Sequence, residues 1–205
     1  MKHIKLFEDI DRSYSWDELS PEAKAKAIDA HRDINLDGNW FEDEIVYQEE
    51  ALEDDGVGNP EIMFNGFHSQ GDGASFTGHV ENMKNFIKAL GMNELPQEVE
   101  DAIIIKFKRG SSRYYHELTV DIDVYKDTDD KFITSYPFGP EVPMEYDLDE
   151  IVDDIDSLGE KWRIKKCQEI YRALEKEYDS LLSDEAVEDT LIANDYEWDE
   201  EGNIL

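Results

Sequence analysis

Between Asp33 and Glu44 the chain places oxygen donors at the intervals a hard cation requires. Asp33, Asn35 and Asp37 stand at the first, third and fifth positions of a twelve-residue stretch, Gly38 at the sixth, Asn39 at the seventh and Glu44 at the twelfth. That is the spacing of an EF-hand calcium loop, in which short side chains, one backbone carbonyl and a bidentate carboxylate close around a single ion. The pattern predicts calcium held by Asp33, Asn35, Asp37, Asn39 (through its carbonyl) and Glu44. Three features oppose it. Phe41 offers no oxygen at the ninth position, no second loop is present to pair with this one, and Ile34 continues the apolar stripe of the preceding helix into the loop.

A second cluster lies around Gly71-Asp72-Gly73. His68, Asp72, Ser75 and His79 could form an acid-base or nucleophilic set if the chain folded them together. Gly73 to Gly78 approaches the nucleophile-elbow pattern, with its second glycine one residue too far along. No lysine follows the glycines, so a phosphate loop is excluded. Two strand histidines beside a glycine turn explain the same residues more simply, and no catalytic residue is assigned. The expectation is a protein without enzymatic activity.

The acids are the dominant chemistry. The 205 residues hold 52 Asp plus Glu against 20 Lys plus Arg, a formal net charge of −32. Such a field repels phosphate backbones and anionic membranes and steers basic surfaces inward. High-salt adaptation is disfavoured, because Lys outnumbers Arg 14 to 6. Glu141 to Glu160 carries 9 acids in 20 residues, and Asp184 to Glu201 carries 9 in 18. On a helix, residues at i, i+3 and i+4 stand about 5–6 Å apart. That spacing compares with phosphates along a nucleic-acid strand, whose counterions a basic groove releases on binding. The expected partner-binding residues are Asp147, Glu150, Asp153, Asp154, Asp156 and Glu160, then Asp184, Glu185, Glu188 and Asp189. The expected partner is the basic groove of a DNA- or RNA-handling protein, with no direct contact to nucleic acid or membrane. A solvated acidic face is the plainer explanation of any one run, but −32 far exceeds what solvation needs.

Periodicity supplies the elements that would position these residues. Ser20-Pro21-Glu22 opens a helix to about Ile34, and a second runs from Asn39 to Asp54 with Trp40, Ile45, Val46 and Leu52 inward. Strands follow at Ile62–His68 and Ala74–His79, then a short helix over Val80–Leu90 and a hairpin of Ile103–Lys108 with Tyr114–Tyr125. Leu148 to Leu182 is helical, with Gly159 as a break, and Ser183 caps a last helix to about Asn194. Tyr196–Leu205 suits a small hairpin around Glu201-Gly202. The order predicts an α+β fold, an antiparallel sheet with helices packed on it, in a single compact domain over 1–205. Its helical N-terminal part covers 15–56, its sheet-rich centre 60–138 and its helical C-terminal part 147–195.

Hydrophobic residues at 40%, including 9 Phe, 10 Tyr and 4 Trp, can fill a core and exclude disorder. Met1 to Asp9 runs into acid before a leader could form, and the lone Cys167 suits a reducing compartment and a core position. A cytoplasmic location is expected.

Phe64-Asn65-Gly66-Phe67-His68-Ser69-Gln70-Gly71-Asp72-Gly73-Ala74-Ser75-Phe76-Thr77-Gly78 resembles the GFxSQGDGASFxG core of a family of uncharacterised bacteriophage proteins. Trp16 to Lys24 looks like the start of those proteins and Tyr196 to Ile204 like their end. The resemblance implies a phage accessory protein acting inside a bacterial host, and it carries over no catalytic residue. Joined to the charge, it leads to the expectation of a DNA-mimic-type inhibitor of a host nucleic-acid-binding or defence enzyme, such as a restriction system. A calcium-binding module through residues 33–44 is the alternative.

Overall fold

The computed structural model of the chain describes residues 13–205. The acidic opening Met1 to Asp9 therefore lies outside the described residues. The architecture is α+β. In chain order the elements are α1 (Pro21–Ala30), α2 (Glu42–Asp54), β1 (Val57–Asn65), β2 (Gly73–Val80), α3 (Met83–Ala89), α4 (Gln97–Glu100), β3 (Ile103–Arg109), β4 (Val120–Lys126), β5 (Phe132–Ser135), β6 (Met144–Asp147), α5 (Leu148–Leu181) and α6 (Asp184–Ala193). Short 3-10 turns occupy Trp16–Glu18 and Glu117–Thr119. The chain divides into two units: residues up to Phe41 together with Lys176–Leu205, and Glu42–Glu175.

In the first unit, Ser20 Oγ accepts the Ala23 N–H at 3.1 Å and Pro21 opens α1, the start its sequence predicts. The helix stops four residues short of Ile34, with His31 at its C-terminal cap. Ser183 Oγ accepts the Ala186 N–H at 3.2 Å and starts α6 where expected. Trp16, Leu19, Ala27, Val187, Leu191 and Trp198 are buried together, with Trp16 and Trp198 edge-to-face at 5.4 Å. Trp198 also bridges to Tyr14 and Ile204, so the chain end folds back as a small hairpin.

In the second unit, β1-β2-β3-β4 form an antiparallel meander. Pro60, which has no N–H to give a ladder, sits in the edge strand β1 beside a register shift between Gly58 and Glu61. The core is aromatic: Phe76 of β2, Phe107 of β3, Phe86 of α3 and Trp162 of α5 meet at centroid distances of 5.1 to 5.9 Å. Gly159 does not break α5. A Cβ there would stand 2.5 Å from Ile122 Cδ1, so the glycine lets the helix approach β4 closely.

The SQGDG segment builds the β1–β2 turn. Asp72 accepts the Ser69 N–H at 2.7 Å and the Asn65 side-chain amide at 3.3 Å, and Gly71 takes a φ of +92° against the Tyr114 ring. Two further expectations are corrected. The strand predicted from Tyr114 begins at Val120, because 114–119 form a loop ending in a 3-10 turn that leaves Leu118 exposed. Val46, expected inward, is exposed on α2. The β5–β6 hairpin was not anticipated at all. No helix among the described residues is long and apolar enough to cross a membrane.

Candidate functional site

The acids of α5 divide by what holds them. Asp147 precedes the helix, and its Oδ1 accepts the N–H groups of Asp149 at 3.0 Å and Glu150 at 3.4 Å. It acts as an N-cap carboxylate facing the positive end of the helix dipole. Asp149 is hydrogen-bonded by Lys126 at 2.7 Å, which holds its carboxyl below the usual range. Glu160 binds Arg163 through both oxygens, at 2.6 and 3.0 Å, while Arg163 is almost fully buried and also donates to the Glu117 carbonyl. Between these committed carboxylates, Asp153, Asp154 and Asp156 are exposed, as is Glu150 beside the cap. No ion pair among the described residues engages these four side chains. Residues 150, 153 and 154 are helix neighbours, as are 153 and 156. At both ends of the ladder expected over Asp147 to Glu160 the acids also serve the fold.

α6, in the other unit, shows the same division. Asp184 pairs with Arg32, and Glu188 Oε1 accepts the Trp16 indole N–H at 3.0 Å. Glu185 and Asp189 are exposed.

The calcium-loop pattern crosses the boundary between the two units, with Glu42 to Glu44 beginning the second. Its third-position residue is already engaged within the first: Asn35 Oδ1 accepts the Thr190 hydroxyl at 2.7 Å, and its Nδ2 donates to the Leu181 carbonyl at 3.0 Å. Asp37 Oδ1 accepts the Asn39 N–H at 3.0 Å, an Asx turn. Among the described residues no three His, Cys, Asp or Glu side chains converge as a metal would need.

His68, Asp72, Ser75 and His79 are not brought together. His79 pairs with Gly58 and Lys106 at the far end of β2 from the turn that holds His68 and Asp72. Six residue steps along the strand separate Gly73 from His79, roughly 20 Å at ~3.3 Å per residue. Ser75 is completely buried.

Two further features escaped sequence reasoning. An open cleft of about 830 Å³ in the second unit is lined by Glu53, Glu81, Lys84, Glu100 and Asp101. Burial pushes the Glu100 carboxyl up; Lys84 opposes this, while Asp101 and Glu94 add to it. The other feature is a group of exposed apolar side chains on the β5–β6 hairpin, among them Tyr136, Phe138 and Val142. Their only sequence signal is the loop Tyr136-Pro137-Phe138-Gly139-Pro140, whose prolines and glycine announce a turn without a strand period. Cys167 is buried as expected, and burial pushes its thiol up to about 12.

No curated protein and no solved structure matches the chain. A family model does match, over residues 40–184, a span that contains the whole of the second unit with its sheet, its acidic helix face and its apolar hairpin. The chain belongs to that family, the domain of unknown function DUF8835.

Proposed function

We propose that this protein is an acidic decoy that fills the basic groove of a nucleic-acid-handling protein and so blocks it, without touching nucleic acid itself. The observation that carries the reading is the set of unneutralised carboxylates Glu150, Asp153, Asp154 and Asp156 on exposed helix positions in a chain of net charge −32. Where a fold needs its acids, it holds them with Arg163, Arg32, Trp16 or a helix end. Asp153, Asp154 and Asp156 serve no such purpose, Glu150 stands in the first turn of α5, and the like-charge repulsion of the set opposes compaction. A groove lined with lysine and arginine would relieve that repulsion and gain what it gains from phosphates. Glu185 and Asp189 on α6, in the first unit, are exposed carboxylates of the same kind. The resemblance of the SQGDGASF segment to bacteriophage proteins supports a phage product acting in the cytoplasm of a bacterial host. A restriction or other defence enzyme is then the natural target.

The test is affinity capture from bacterial lysate at about 150 mM salt, a concentration where surface charges still interact over the ~8 Å Debye length. Enrichment of one DNA- or RNA-handling protein, eluted by duplex DNA and lost with Glu150→Gln, Asp153→Asn, Asp154→Asn and Asp156→Asn together, supports the reading. Capture that duplex DNA cannot displace, or that survives the fourfold variant, sinks it.

A further inference from the structure

The β5–β6 hairpin carries five of the exposed large apolar side chains of the described residues. At the tip Phe138 is 76% exposed, Tyr136 53% and Val142 49%, while Phe132 and Met144 lie on opposite faces of the strand pair below it. Single exposed apolar residues are ordinary, whereas three within the seven-residue tip offer a contact surface. The group is also held in place. β5 and β6 pair from Phe132↔Asp147 to Ser135↔Met144, Ser135 Oγ donates to Glu98 at 3.0 Å, and the Leu148 N–H donates to the Lys131 carbonyl at 2.9 Å. Within the tip, Gly139 N–H reaches the Tyr136 carbonyl and Val142 N–H the Gly139 carbonyl, both at 3.2 Å. Pro137, Pro140 and Pro143 fix three further φ angles. A tip ordered before binding loses little freedom on docking, which favours affinity.

The surroundings select the partner. Glu141 and Glu145 are exposed on the hairpin itself. β6 passes into α5 with no residue between, so Glu150, Asp153 and Asp154 follow within the first turns. Lys131 stands over the Phe132 ring at 5.2 Å and reaches Asp147 and Asp149 at 3.5 and 3.8 Å, and Lys126 is held by Asp149. An apolar knob beside these carboxylates repels nucleic acid, anionic lipid and a second copy of itself. We propose that the hairpin is the anchor of a protein interface, with Phe138 and Tyr136 entering an apolar pocket whose rim is lysine and arginine. This rests on the decoy reading, since the cationic rim is the groove that the α5 carboxylates occupy.

Two synthetic peptides of equal charge test it: four lysines around a central Leu-Trp-Leu, and the same lysines around Ala-Ala-Ala, titrated against the full chain by fluorescence anisotropy. The apolar peptide binds about 10-fold more tightly, the difference expected from burying one to two large side chains in part. Phe138→Ser with Tyr136→Ser abolishes that preference and leaves the alanine peptide's affinity and the unfolding midpoint unchanged. Glu150→Gln with Asp153→Asn and Asp154→Asn weakens both peptides. Equal binding of the two peptides, or a preference that survives the hairpin variant, overturns the anchor. A preserved preference with no effect of the charge variant overturns the decoy reading instead. A concentration-dependent dimer in sedimentation that Phe138→Ser dissolves replaces the foreign partner with a second copy of the chain.

Discussion

Arg163 and Glu160, one turn apart on α5, form a bidentate pair in which the guanidinium is 2% exposed and the carboxylate side chain 45%. The Glu117 carbonyl takes a further guanidinium N–H, so a cation deep in the second unit depends on one half-exposed acid. Glu160 therefore serves a buried cation, although its place in an acidic run suggests a surface role alone. Glu160→Gln should destabilise the fold by about 2–3 kcal/mol, because a buried cation loses charge-assisted bonds. Chemical denaturation measures this. Adding Arg163→Met should recover part of the loss, since an apolar side chain needs no counter-charge. A neutral effect of Glu160→Gln would return that residue to the ladder.

Glu100 predicts a pH dependence. Its carboxyl is raised, chiefly by burial, so the folded state holds the proton more tightly than the unfolded chain does. Its contribution is full below the ordinary carboxylate value and is lost as pH rises through the raised one. Glu100→Gln should therefore raise the unfolding midpoint at pH 7 relative to wild type. The gap should close as pH falls below the ordinary carboxylate value, where both side chains are neutral in the folded and unfolded chain. Calorimetry across that range decides it, and a gap independent of pH contradicts the assignment.

Cys167 should be inert. A thiol pushed up to about 12 and buried on α5 carries almost no thiolate at neutral pH, and thiolate is the reactive species. Iodoacetamide at pH 8 should leave the folded protein unmodified and alkylate it fully in denaturant. The same shift costs stability above the unfolded thiol's value of about 8.5, since the unfolded chain releases its proton first.

Calcium should leave the unfolding midpoint unchanged at millimolar concentration. Asn35 would have to abandon Thr190 and Leu181 to reach an ion. A calcium-dependent midpoint that Glu44→Gln abolishes would show that the loop makes that exchange.

Helix starts were legible because capping is local. Ser20 and Ser183 each find their acceptor role three residues on, within the same short string that announces it. The alternation around Val120, Ile122 and Val124 likewise marked β4, because a strand with one wet face writes its period into neighbouring residues. β5 and β6, four residues each and separated by a proline-rich loop, are too short to establish a period. Gly159 looked like a helix break because its reason is Ile122, on a strand far away in sequence.

The candidate site follows the same division. Composition alone established that the surface is strongly anionic, since −32 cannot be folded away. Which acids remain available was decided by the tertiary structure. Asp147 went to a helix end, Glu160 to Arg163, Asp184 to Arg32 and Glu188 to Trp16, leaving Glu150, Asp153, Asp154 and Asp156 on α5. Asp184–Arg32 and Glu188–Trp16 join residues distant in the chain, and an acid's availability depends on what folding brings beside it. Charge is a sum over residues and survives any fold, whereas the partner of each charge exists only in space.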